Sequence, residues 1–392
     1  MKQTAIVVIA YNREKSLKRL LQSLEKASYQ QSGENGLLIG SGIPLIISID
    51  HSENNLVRIV ADDFKWTHGE KRVIVHPENM GLKKHVLSCG DLVDQYDSIV
   101  MLEDDLYVSA SFYGFAQKAL ESVWEEDRIA GVSLYTHLLN VHTREPFLAL
   151  EDGYDNWFFQ FASSWGQAFT KNQWNGFREW MKRNDGKELA SKNMPVNVSE
   201  WSQKSWLKYF IAYMIETDRY FLYPRISQTT NFSEEWTHAK ETVMDLQVPL
   251  YNRQKRPYCF SKLSHSEAVY DAFFENVCLK KLIANQTGAK PGEIMIDLYG
   301  SRPFAGEQRI LLSSIPMPCK IIRKYGCALR PIEANVIENI EGNDFFLYDT
   351  SQKGKEPKVS PVRKYLYHYR AFKTKYGLEI LVYRIKQRFF ER

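Results

Sequence analysis

Three consecutive carboxylates, Glu103-Asp104-Asp105, close an apolar run, DSIVMLEDD, over residues 97–105. Side chains alternate along an extended chain, so Glu103 and Asp105 share a face and Asp104 points the other way. Adjacent carboxylates at a strand end repel one another and resist dehydration. A divalent cation relieves both costs. Mg²⁺ or Mn²⁺ takes one or two carboxylates and keeps positions open for phosphate oxygens. It also neutralises the charge that develops on a departing diphosphate. Two further apolar runs end in polar residues, Tyr11-Asn12 and Asp50-His51-Ser52. A polar cap explains any one such end, but not three acids in a row.

The elements that must position these residues read as alternating strand and helix. Apolar runs over 5–11, 44–50, 72–76 and 97–105 predict four strands, the first of them, continuous and β-branched, buried on both faces. Asn12 reads as an N-cap, and Leu17, Leu20, Leu21 and Leu24 follow at helical spacing. A second helix is expected over 82–95. The alternation implies a parallel sheet with right-handed crossovers, whose ligands bind at the carboxyl ends of the strands. The three polar strand ends therefore converge on one crevice. Beyond residue 150 the chain is rich in Trp and Tyr and less regular. A helix over 266–285 and a strand near 308–315 are the clearest later elements.

The 392 residues suffice for one large α/β domain or two modest ones, and 44% hydrophobic with 25% charged is ordinary globular composition. The five cysteines are scattered and odd in number, which argues against a disulfide framework or a zinc site and suits a reducing compartment. The N-terminus does not read as a signal peptide. No stretch reaches the roughly 18 apolar residues of a membrane span. The net charge of +4 is unevenly spread: residues 363–392 hold nine Lys/Arg and two Glu, so a basic tail of +7 follows a body of −3.

IVVIAYNREKSLKRLLQSL, LIISIDHSEN and SIVMLEDDLYVSASFY, in that order and spacing, resemble the nucleotide-binding half of GT-A-fold glycosyltransferases. LEDDLYVSASFY is similar to the Glu-Asp-Asp motif of the N-acetylglucosaminyltransferase that initiates complex N-glycans. It is similar also to bacterial family-two-like enzymes that build surface polysaccharides. The resemblance spans roughly residues 4–240. It implies a GT-A (Rossmann-like) α/β fold, a mostly parallel sheet flanked by helices, with a helical C-terminal extension. The expected divisions are 1–255 for the catalytic domain (1–110 nucleotide-binding half, 111–255 acceptor half), 256–362 for the extension and 363–392 for the tail.

The resemblance also implies roles. Asp105 would hold Mn²⁺ or Mg²⁺, joined by His238 from YPRISQTTNFSEEWTHA. Glu103 and Asp104 would contact the ribose or donor sugar, and Asp50 the nucleoside. Ala10, Tyr11, Asn12 and Arg13 would line the base and phosphate side. Lys83 and Lys84 would meet the diphosphate, or else form a solvated helix face. Trp165 and Gly166, in SSWGQAFTKNQW, resemble the loop beside the donor sugar. Trp165 offers a stacking face unless it is a core residue, and Gly166 allows close backbone approach.

An inverting transfer needs a base within reach of the acceptor hydroxyl. Relatives place an Asp directly after a Trp; here Trp206 is followed by Leu207 and Lys208. Glu200, Glu179 and Asp218 are the nearby substitutes, each more readily read as a surface acid than as a base. In the tail, Tyr365, Tyr369, Phe372, Tyr376, Ile380 and Tyr383 fall on one helical face among Lys and Arg. Such a helix suits an anionic membrane surface, or else packs on the domain. No nucleic-acid motif accompanies the charge.

The expected activity is metal-assisted, inverting transfer of a hexosyl or N-acetylhexosaminyl group from a nucleotide-diphosphate donor, UDP-sugar favoured, to a glycan or lipid-linked acceptor. The expected setting is surface polysaccharide synthesis at the cytoplasmic membrane face. Two readings compete. A sugar nucleotidyltransferase would carry a Gly-rich loop after the first strand, which AYNREKSL lacks. A non-catalytic nucleotide-sugar or glycan-binding protein on the same fold would bind donor without turnover.

Overall fold

The computed structural model describes residues 3–29, 42–189, 193–232, 246–252 and 257–368, with 377–378, 381–382 and 385 in the tail. The chain divides into two units, Met1–Leu282 with Ser301–Phe304, and Ile283–Gly300 with Ala305–Arg392.

The first unit opens with β1 (Thr4–Ala10), α1 (Glu14–Glu25), β2 (Leu45–Ile49), α2 (Asn55–Asp63), β3 (Lys71–Val75), α3 (Leu82–Asp91) and β4 (Ser98–Glu103). There follow β5 (Leu106–Val108), α4 (Phe112–Ser122), β6 (Ile129–Ser133), β7 (Asn156–Phe159), β8 (Gln167–Thr170) and α5 (Lys171–Asn184). Then come α6 (Val196–Ser199), α7 (Trp206–Glu216), β9 (Tyr220–Pro224), β10 (Thr229–Asn231) and β11 (Val269–Tyr270). α8 (Leu279–Thr287) precedes the second unit's β12 (Ile294–Asp297), β13 (Ile310–Ser313), β14 (Cys319–Tyr325), α9 (Ala334–Ile337), β15 (Phe345–Lys353) and α10 (Pro361–His368).

The fold is mixed α/β, with a large, mostly parallel central sheet flanked by helices. Its strand order is β11-β7-β9-β6-β8-β4-β1-β2-β3. β4, β1, β2 and β3 run parallel, as the alternation of strand and helix predicts, and β3, at the edge, is only partly buried. Every residue of β1 and β2 is buried. Antiparallel β8 is wedged between β4 and β6. α1 turns Leu17, Leu20, Leu21 and Leu24 inward, the stripe read from the sequence. Asn12 is not its N-cap: the flanking residue is Arg13, whose side chain makes no capping bond.

Other expectations need correction. The predicted helix over 266–285 exists only from Leu279. Val269–Tyr270 is a strand, and Asp271 Oδ1 then accepts from the amides of Phe273 (2.9 Å) and Glu275 (3.3 Å). Phe274 takes φ 65°, which a helix cannot contain. The C-terminal extension is not mainly helical. Its described part is built on a four-stranded sheet, β12-β13-β15-β14, with short helices around it.

Candidate functional site

Register brings the polar strand ends to one level. Glu103 lies opposite Ile9 and Ala10 opposite Ile49. The next residues keep the ladder going, with Asp50 N donating to Ala10 O (2.9 Å) and Asp104 N to Ile9 O (3.0 Å). Tyr11, Asp50 and Asp104 thus stand side by side at the carboxyl edge. A cavity of about 430 Å³ opens there, lined by Ala10, Tyr11, Asn12, Arg13, Asp50, Glu103, Asp104 and Asp105. It also takes in Asn79, Gly81, Leu82 and His85.

The three acids differ from the simple alternation expected of them. β4 ends at Glu103, and Asp104-Asp105 form the turn into β5. Freed from the strand, both aspartates meet one cation. Arg13 pairs with Asp104 Oδ1 through one terminal nitrogen and with Asp105 Oδ2 (2.7 Å) through the other. Burial alone would lower the Arg13 pKa, but the two carboxylates outweigh it and raise it. Burial lifts Asp104 to about 6, with the Asp105 charge adding and Arg13 opposing. Burial lifts Glu103 to about 8, with the Asp105 charge as the next cause; a hydrogen bond from Ser164 opposes. The edge is therefore short of positive charge even with Arg13 in place.

A divalent cation would relieve the crowding of carboxylates at this edge. Asp105 Oδ1 and Asn12 Oδ1 are buried and have no hydrogen-bond partner among the described residues. Two orphaned oxygens on one cavity fit a hard cation that keeps most of its positions for phosphate. No group of three His, Cys, Asp or Glu side chains able to hold a metal occurs among the described residues. His238 lies outside them.

Asp50 is buried, and its carboxylate is a hub. Oδ1 accepts from the amides of His51 (2.9 Å) and Met80 (2.8 Å), and Oδ2 from Gly81 N (3.1 Å). It pins the turn that starts α3, where Gly81 takes φ 74°. Asn79 completes the pin by donating to His51 O (3.0 Å). Asp50 thus shapes the cavity wall as well as lining it.

Sequence reasoning missed two residues here. Ser164 supports Glu103. His85 lines the cavity while its Nε2 bonds Ser48 Oγ (2.8 Å), and burial lowers its pKa to about 4. Spacing hinted at His85, four residues after Gly81 on one turn of α3. Ser164 stands in the SSWGQAFTKNQW segment already read as a loop beside the site, next to the Trp165 singled out there.

Several expected residues lie off the cavity lining. Lys83 pairs with Asp185 (2.5 Å) and sits over the Tyr209 ring (4.1 Å). Lys84 is exposed. Trp165 is half-buried, its ring packed on Tyr135 (4.7 Å) and His137 (6.0 Å). Gly166 takes φ +92°, and a Cβ there would meet Thr229 Cγ2 at 2.8 Å. Glu179 and Glu200 are exposed and do not line the cavity. Asp218 precedes β9, pairs with Arg128 (2.6 Å), and lies at the opposite edge of the sheet from Glu103.

No protein-family model matches the chain, and no curated protein matches it. Solved structures share partial similarity. One is S. aureus TarS 1-349, at 14% identity over 58% of this chain and 59% of that one, TM-score 0.36. A second is mannosyltransferase PcManGT from Pyrobaculum calidifontis in complex with GDP-Man and Mn²⁺, at 14% identity over 46% of each chain, TM-score 0.30. A third is GalNAc-T7 with UDP, GalNAc and Mn²⁺, at 10% identity over 61% of this chain and 45% of that one, TM-score 0.40. The chain spans about three fifths of the TarS fragment and less than half of the other two.

Proposed function

We propose that the chain is a GT-A glycosyltransferase that moves a sugar from a nucleotide-diphosphate donor, a UDP-sugar by preference, to a glycan or lipid-linked acceptor. One observation carries the reading. Asp105, whose buried Oδ1 has no hydrogen-bond partner among the described residues, lines a cavity with Asp50, Arg13 and Glu103 at the carboxyl edge of the parallel strands. Tyr11, Asn12 and the Asp50-pinned turn would enclose the nucleoside. Arg13 would hold Asp104 and Asp105 in place and favour diphosphate nearby. Glu103, kept largely protonated by burial, would donate a hydrogen bond to a sugar hydroxyl. Asp105, with Asn12 beside it, would hold Mn²⁺ or Mg²⁺, which would neutralise the departing diphosphate.

A second reading, a binding protein without turnover, has its own support. None of Glu179, Glu200 and Asp218 lines the cavity. Thermal shift with UDP- and GDP-sugars, with and without Mn²⁺, tests donor binding. One nucleotide sugar should stabilise the protein only with metal, and Asp105→Ala should remove the effect. Metal-independent stabilisation that survives Asp105→Ala would refute the site. Slow donor hydrolysis separates the enzyme from the binder.

For location, we propose the inner face of the cell membrane. No helix among the described residues is long and apolar enough to cross a membrane. In the tail, Leu378, Leu381, Val382 and Ile385 are exposed at helical spacing among basic residues. This stripe is not the Tyr/Phe face read from the sequence, of which Tyr369, Phe372, Tyr376, Ile380 and Tyr383 lie outside the described residues. Liposome sedimentation of the Leu378→Ser/Leu381→Ser variant tests it. Undiminished sedimentation would reject the stripe as the anchor.

A further inference from the structure

The second unit holds a cavity of its own, about 430 Å³, between β14 and the segment that follows β15. Lys320 and Lys324 reach it from one side, and Lys353, Lys355 and Lys358 from the other, with Glu356 the one acid on its lining. Among the described residues, none of these five ammonium groups makes a hydrogen bond or an ion pair. Asp349 stands opposite Lys320 in the ladder, yet its carboxylate accepts instead from Ser351 N (3.1 Å), Ser351 Oγ (2.5 Å) and Gln352 Nε2 (2.9 Å). The charge is left uncompensated although an acid is at hand.

The backbone is shaped to gather these lysines. The β14–β15 register slips between Ile321 and Arg323, and the extra residue, Ile322, is exposed. A bulge of this kind re-aims the side chains beyond it. It turns Lys324 to the side of Ile321, and both line the cavity. Lys353 pairs with Cys319, and Gly354 N donates to Pro318 O (3.1 Å). A Cβ on Gly354 would lie 2.3 Å from Cys319 O. Only a glycine lets the Lys353–Lys358 segment lie this close to β14. Like charges drawn together by such close backbone contact repel unless an anion joins them.

We propose that this cavity binds a multiply charged phosphate group, carried either by an anionic lipid headgroup or by a soluble phosphoester. The cavity is separate from the donor cavity of the first unit and uses none of its residues. Lysine ammoniums, as mobile point charges, suit phosphates of varied geometry.

The test uses the full chain in EDTA, so that no divalent cation serves the donor cavity. One arm titrates tripolyphosphate by calorimetry. The other sediments the protein with phosphatidylcholine vesicles with and without phosphatidic acid, whose phosphomonoester headgroup ionises twice. Lys320→Glu/Lys353→Glu/Lys355→Glu is compared with wild type and with the exposed-lysine control Lys182→Glu. The triple variant should bind one or both probes about tenfold more weakly or worse, and the control should match wild type. Loss in the tripolyphosphate arm alone assigns a soluble phosphoester; loss in the vesicle arm alone assigns a headgroup. Equal binding by wild type and triple variant in both arms overturns the proposal, as does no binding by wild type or an equal loss in the control. A far-ultraviolet spectrum and melting curve like wild type's establish that the triple variant is folded.

Discussion

Replacing Arg13 with methionine should be among the most damaging single changes at the donor edge, and its size follows from burial. The Asp104 side chain is 2% exposed, and its ion pair with Arg13 is almost wholly dehydrated. Removing one partner of a buried pair leaves the other charge stranded, at a cost of about 3–5 kcal/mol. The Asp105 side chain is 23% exposed, and that half of the bridge adds less than about 1 kcal/mol. Asp104 can limit the damage by taking a proton, since burial already raises its pKa to about 6. A net loss of about 3 kcal/mol is expected at pH 7. Arg128→Met is the control, because its pair with Asp218 is 51% and 66% exposed and contributes about 1 kcal/mol at most. The assay is urea denaturation of each variant, with Asp104→Asn added as the second mutation. Arg13→Met/Asp104→Asn should recover most of the stability lost by Arg13→Met, because the stranded charge is gone. Mn²⁺ should stabilise Arg13→Met more than wild type, by supplying the missing positive charge. Equal losses for Arg13→Met and Arg128→Met, or no recovery in the double variant, would refute the reasoning.

Three further outcomes can be checked. Asp50→Asn gives up part of a three-amide hub, so it should cost about 1–3 kcal/mol and weaken donor binding measured by calorimetry; unchanged affinity would remove Asp50 from the site's architecture. Gly166→Ala forces a side chain at φ +92° against Thr229, at about 1–3 kcal/mol; Thr229→Ser in the same background should recover only the part due to the methyl contact, and full recovery would show that backbone strain contributes nothing. His137 is buried among Tyr135, Phe159, Phe161, Trp165, Tyr223 and Phe274, and burial lowers its pKa to about 3. A lowered histidine is neutral in the fold, so stability is full above about pH 6.5 and falls as the unfolded chain takes up the proton at lower pH; His137→Phe should flatten the loss between pH 6.5 and 4 seen in chemical denaturation, and an unchanged slope would contradict it.

Much of the donor edge was legible in the sequence because it depends on local pattern. β1, β2 and β4 are largely apolar runs buried on both faces, while β3, at the sheet edge, is only partly buried. Their polar ends meet because parallel register does the rest. Arg13's bridge to Asp104 and Asp105 was not legible. It depends on β4 stopping two residues before the end of its run of acids, which frees both aspartates to turn toward α1. The dispersal of Lys83, Trp165, Glu179, Glu200 and Asp218 was hidden for a different reason: each sits in a segment whose position is set by contacts distant in sequence. Lys83 is claimed by Asp185, which is 102 residues away. The strand at Val269–Tyr270 escaped because two residues carry no period, and only the Asp271 turn reveals why a helix cannot run through them.

The placement of β8 has a consequence for how such a protein can change over time. Because β8 is hydrogen-bonded on both sides, the Ser164–Gly166 corner that supports Glu103 is soldered to the sheet. The 134–155 stretch carries no named strand or helix. Tyr135, His137, Asn140 and Phe147 within it are buried all the same, so change without loss of packing is confined to its outward positions, such as Leu138 and Leu148.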